Sequence, residues 1–245
     1  MPPARLKVLS AGAVKYAVTD FAARLARETG EEVAFTFGTI GQVRRRLAAG
    51  ETADVMIGTA PAIAELAQAG VLIAGSHTDL GRTFTGVCVR EGAPVPDIST
   101  PDKFREAMLA TRSLAYTNPQ AGGTSGIFLA GLFARLGIAG AMRAKALPCI
   151  NGDEVVDKVL AGDAELGSTF LSEIVPVKGV RSAGALPAPI ENVTAYAAGV
   201  MAGSANGKAA ARFIAMLAAP EQRDVWVSFG FAEGPNGDVR EGPQT

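Results

Sequence analysis

A chain of 245 residues that is 48% hydrophobic and 19% charged has a globular composition, with length for one large core or two lobes of about 100 residues each. A formal net charge of −1, with Lys and Arg scattered along the chain, gives no basic stripe for a nucleic acid. No apolar run approaches the roughly 18 residues that span a bilayer, so no membrane insertion is expected.

In chain order, Leu6 to Leu9 is a short apolar run ending in the small-residue loop SAGA, after which Val14, Val18, Phe21 and Leu25 recur at helical spacing. Gly30 ends that helix, and Val33 to Phe37 reads as the next strand. The turn GTIG opens a second helix on Ile40, Val43 and Leu47, Gly50 closes it, and Ala53 to Gly58 is a third strand before a helix on Ile63, Leu66 and Ala67. Strands alternating with helices predict a parallel sheet with helices on its faces. Arg82 to Arg90 alternates as a strand, and the Pro-rich EGAPVPDISTP leads to a second α/β unit. Its predicted pieces are a helix from Pro101 to about Ala110, the strand SLAYT, a helix after GGTSG, another after Asn151, and the strand ELGST ending at Thr169. Val193 to Met201 is strand-like again and leads to a helix on Ala210, Phe213, Ile214 and Leu217, while the tail GPNGDVREGPQT reads as frayed.

Ligands of open α/β sheets sit beyond the carboxyl ends of the strands. Four loops there are rich in small or hydroxyl residues: Ser10, Ala11, Gly12 and Ala13; Thr39 and Ile40 within GTIG; Thr59 within GTAP; and Gly123, Thr124, Ser125 and Gly126 within GGTSG. The last is the most informative. Its helix buries Leu129, Leu132, Phe133 and Leu136, and its first turn is bare, so free N–H groups and the positive helix end would face an anion. GGTSG also fits a plain turn with a Thr or Ser N-cap. Arg82 is positioned to pair with a carboxylate, or is a solvated surface arginine. Lys15 and Tyr16 are weaker candidates, and His77 and Arg44 to Arg46 read as exposed groups. Cys88 and Cys149 read as buried thiols, and no metal or cofactor motif occurs, so neither a metal site nor a cofactor is expected.

The stretches SAGAVKYAV, VAFTFGTIGQV, GETADVMIGTAPAIAELAQAGVL, NGDEVVDKVLAGDAELGSTFLSEIVPV and AARFIAMLAAPEQRDVWVSFGF follow an order that resembles the molybdate-binding-protein-like branch of type II substrate-binding proteins. NPQAGGTSGIFLAGLFARLGI and AELGSTFLSEI are similar to a subgroup that includes aconitate isomerase. The resemblance implies two α/β lobes joined by two crossing strands and closing on a ligand, here residues 4–82 with 195–245 and residues 83–194. It also implies a small anion as partner, held through Thr169 and Phe170 besides the four loops. A molybdate site of that family uses serines and a tyrosine where this chain has Ala13, Thr39 with Ile40, and Phe170.

An organic di- or tricarboxylate is therefore the expected ligand, held between the lobes by helix N-termini and hydroxyls. The alternatives are an isomerase moving a proton on an unsaturated tricarboxylate and a molybdate or tungstate carrier. No catalytic residue is evident, because the loops offer hydroxyls and N–H groups rather than an acid and base pair. The N-terminus passes straight into a strand, so the chain as numbered is expected in the cytoplasm. If it was trimmed from an exported precursor, the periplasm and an ABC transporter partner are expected instead.

Overall fold

The N-terminal part alternates strand and amphipathic helix, and each helix stops where its periodicity does. The elements are β1 (Leu6–Ala11), α1 (Lys15–Thr29), β2 (Val33–Gly38), α2 (Ile40–Ala48), β3 (Val55–Thr59) and α3 (Ala60–Gln68). α1 ends because Gly30 takes the left-handed conformation, φ 76°, and returns its N–H to the Ala26 carbonyl. The long β4 (Thr78–Arg90) is followed by α4 (Pro101–Ala110), β5 (Leu114–Thr117), α5 (Thr124–Arg135), α6 (Ala139–Lys145), β6 (Ala146–Cys149) and α7 (Gly152–Ala161). After these come β7 (Leu166–Phe170), α8 (Leu171–Ile174), β8 (Val180–Ala185), β9 (Val193–Val200), α9 (Gly207–Ala218) and α10 (Arg223–Ser228).

This computed structural model describes residues 5–232, so the tail expected to fray lies outside the described residues. The described residues form two compact units. The first runs up to Arg82 and resumes over Thr194–Trp226; the second is Thr83–Val193 with the residues from Val227 on. Where the sequence reading put the whole C-terminal stretch with the first lobe, the last described residues group with the second unit. Thr83 explains this: its hydroxyl donates to the Gly230 carbonyl at 2.9 Å and accepts from the Ser172 N–H at 3.2 Å, and Thr83 bridges Phe231.

In the first unit the strands lie in the order β2, β1, β3, β9. β1 is parallel to β2 and β3, and β9 is antiparallel to β3. Leu9, Val43, Met56, Ile63 and Leu72 form one buried cluster with α2 and α3. Elsewhere in the unit Phe35 meets Phe213 of α9 at 6.3 Å, and Phe21 meets Trp226 at 5.4 Å. In the second unit β5 lies between β6 and β7, parallel to both, and β4 is antiparallel to β7 and β8. Alternation along these strands separates two cores. Val87, Val89, Leu114 and Tyr116 pack with α5 residues on one side; Cys88 and Ala115 pack with Val155, Val156 and Val159 of α7 on the other.

Candidate functional site

Parallel pairing puts strand ends side by side, and that is what assembles the candidate loops within each unit. In the first unit Ala11 is opposite Gly38 and Ser10 is opposite Ile57, so the exits of β1, β2 and β3 share one edge. Ser10, Ala11, Gly12, Ala13, Thr39, Ile40 and Thr59 all lie there. They do not offer equal chemistry. Ser10 is fully buried and its hydroxyl donates to the Ala11 carbonyl at 3.0 Å, while SAGA opens a 3-10 turn, Gly12–Val14, ahead of α1. Ala13 is buried, and the half-buried Ile40 packs on the core cluster, where its Cδ1 would lie 2.8 Å from a Cβ added at Gly58. Neither brings a side-chain donor.

Thr39 caps α2 in a capping box: its Oγ1 accepts from the Gln42 N–H at 3.2 Å, and the Gln42 side chain accepts from the Thr39 N–H at 2.7 Å. In that box the hydroxyl is an acceptor, so a bond to an anion would run through its proton in the other direction. Thr59 stands at the N-cap of α3, half-buried, and closes no side-chain bond on that helix. Arg82 lies within β4, the last residue of the first unit, half-buried and not at a parallel strand exit. Lys15 sits 5.5 Å from the ring of its neighbour Tyr16.

In the second unit β5, β6 and β7 end together, which places Gly123, Thr124, Ser125, Gly126, Thr169 and Phe170 on one edge. The N-cap of α5 is Gly123, with no side-chain hydrogen bond, and Thr124 and Ser125 already belong to the helix. The plain Thr or Ser cap is thus not what forms. The first bond of the helix is Ile127 N–H to the Gly123 carbonyl, so the N–H groups of Thr124, Ser125 and Gly126 precede the intrahelical ladder. Gly126 is needed for this approach: a Cβ there would fall on the Thr117 carbonyl at the end of β5. Ser125 is 3% exposed.

Thr169 and Phe170 are buried, and Thr169 donates its hydroxyl to Glu173 Oε2 at 2.5 Å. Glu173, 5% exposed, leaves no mark in the sequence that points to a site. Asn151, after which a helix is expected, caps α7 by accepting from the Glu154 N–H at 2.9 Å. Asp54, the other buried carboxylate among the described residues, precedes β3 and so lies at the opposite strand end from the loops. Burial raises its carboxyl, but bonds from the Lys7 N–H (2.8 Å), the Ser204 hydroxyl (2.7 Å) and the Asn206 amide (3.3 Å) outweigh that and hold it below the usual value. Burial pushes the Cys88 and Cys149 thiols up to about 12, which fits packing rather than reaction. His77 is exposed, and Arg44 and Arg46 pair with Glu65 and Glu51 at the surface. Among the described residues no group of three His, Cys, Asp or Glu side chains could hold a metal ion, and no helix is long and apolar enough to cross a membrane.

Residues 6–232 match the family described as bacterial extracellular solute-binding protein. The chain belongs to that family. An aconitate isomerase from a Pseudomonas species is 31% identical over 226 residues, covering 90% of this chain and 84% of that protein. The Azotobacter vinelandii periplasmic molybdate-binding protein superposes with a TM-score of 0.75 at 18% identity, covering 93% of this chain and 98% of its own. The sulfate-binding protein SubI from Mycobacterium tuberculosis H37Rv gives 0.74 at 18%, covering 95% and 88%. The type II substrate-binding-protein fold expected from the order of motifs is the fold these structures share.

Proposed function

We propose that this solute-binding protein takes a small organic di- or tricarboxylate, with the start of α5 as the seat of one carboxylate group. The observation that carries the reading is the first turn of α5. Its N–H groups precede the helical ladder, no side chain caps them, no acidic residue lies among them, and a buried serine stands beside them. Such a start binds an anion without a lysine. The loops of the first unit offer similar chemistry at their own edge, through the Thr39 and Thr59 hydroxyls. A tetrahedral oxyanion needs donors converging from all sides, and Ala13, Ile40 and Phe170 supply no polar side chain. An extended acid suffers less from that loss, because its carbon frame needs apolar neighbours.

A second reading adds chemistry to binding: proton transfer on an unsaturated tricarboxylate. What favours it is the 31% identity to a protein named aconitate isomerase over 90% of this chain. A thermal-shift screen of carboxylates, molybdate, tungstate and sulfate tests the binding reading, since a ligand that binds only the folded state raises its melting temperature. The expected hits are di- and tricarboxylates. Any hit incubated in D2O and followed by proton NMR tests the second reading through exchange and isomer formation.

A further inference from the structure

The start of α7 already faces a carboxylate that belongs to the chain. The first residue of α7 is Gly152, and a Cβ there would collide with the carboxyl carbon and both carboxyl oxygens of Glu173. The group is therefore packed against the first helical turn, and only glycine leaves room for it. Its hydrogen-bond donors stand at the end of β7: Thr169 Oγ1 at 2.5 Å and the Phe170 N–H at 3.4 Å, both to Glu173 Oε2. A helix start, a hydroxyl and a backbone N–H are the donors from which an ionised carboxylate accepts. α7 also carries Asp153 and Glu154 in its first turn, whereas the first turn of α5 has no acidic residue.

We propose that Glu173 is a specificity-determining residue: a resident carboxylate that fills the anion seat of α7 and leaves the start of α5 as the open one. The inference rests on the reading of α5 as a ligand seat. Tyr116 pairs with Ser168, so Thr117, under Gly126, comes opposite Thr169, bonded to Glu173, near the ends of neighbouring strands about 5 Å apart. A negative charge held at the neighbouring strand end penalises each further charge on the ligand. Glu173 thus sets how strongly the site favours more highly charged acids, without itself needing to touch them.

The test uses the full chain. Glu173→Ala removes the atoms beyond Cβ, which correspond to one acetate. Acetate should raise the melting temperature of this variant saturably, beyond chloride at equal ionic strength and beyond its effect on the parent protein. If the variant does not fold in chloride, refolding yield in acetate against chloride gives the same comparison. Glu173→Gln keeps the shape and removes the charge. Titrated with propionate, succinate and propane-1,2,3-tricarboxylate, it should bind more tightly than the parent, by a factor that grows with ligand charge to roughly three- to tenfold for the tricarboxylate. A purely structural role would leave the ratio of the three affinities unchanged, and that result overturns the specificity claim. Absence of acetate rescue overturns the seat itself, whatever the ligands do. If neither protein binds any of the three acids, the reading of α5 falls and takes the specificity claim with it, while the acetate comparison still decides whether Glu173 fills an anion seat.

Discussion

Two glycines of α5 have opposite reasons to be there, and exchanging each for alanine separates them. At Gly131 a Cβ meets nothing within 4 Å, so Gly131→Ala should gain the usual helical preference of alanine, about 0.5–1 kcal/mol. At Gly126 the same methyl falls on the Thr117 carbonyl, a backbone atom that cannot swing aside as a flexible side chain would. Overpacking of this kind costs about 1–3 kcal/mol, and the helical gain offsets only part of it, so a net loss of about 1 kcal/mol is expected. Relief must come from moving the first turn of α5, which displaces the N–H groups proposed to hold the ligand. Losing even one charge-assisted hydrogen bond of about 1.5–3 kcal/mol weakens binding more than tenfold. Urea denaturation gives the stabilities, and calorimetry with the best hit gives the affinities. A Gly126→Ala protein as stable and as tight-binding as Gly131→Ala would mean that the start of α5 neither needs this glycine nor holds the ligand.

Asp54 has a carboxyl held below 3.8, so its contribution is complete above that pH and drains as the pH falls toward its lower folded value. Asp54→Asn should flatten this acid limb in a stability-against-pH series; an unchanged limb would remove Asp54 from the account. Thr39→Ala breaks the α2 capping box and should cost about 1 kcal/mol in thermal or urea unfolding. Combined with Ser125→Ala it should also weaken the ligand, and unchanged affinity in the double variant would remove both hydroxyls from the site. Cys88 and Cys149, buried with thiols near 12, should resist alkylation at pH 8 in the native protein and react once it is unfolded in urea, with mass spectrometry as the readout.

The strand and helix pattern was legible where one face of an element is buried. Phe21 and Val18 on α1, or Ala210, Phe213, Ile214 and Leu217 on α9, recur at helical spacing because that stripe packs on a sheet. β6 and β8 were not legible. β6 is four residues long, contains Pro148, and pairs on one side only, with β5. β8 reads VRSAGA, and its pairing to β4 shifts register between Val87 and Cys88, so no alternation survives. The small-residue loops stood out because glycine and hydroxyl residues at strand exits leave a mark in a sequence. Glu173 did not, since a glutamate in FLSEI reads as a solvated helix position. What buries it is a glycine at the start of another helix, a pairing that only the fold brings about.

The ligand is proposed to be an extended organic acid rather than a tetrahedral oxyanion. Calorimetric titration of the parent protein with di- and tricarboxylates, and in parallel with molybdate, tests it most directly. Two missing donors at about 1.5–3 kcal/mol each make molybdate weaker by about a hundredfold or more. A saturable carboxylate isotherm, tighter than that of molybdate, is the expected result. Submicromolar molybdate with no measurable carboxylate binding would contradict it.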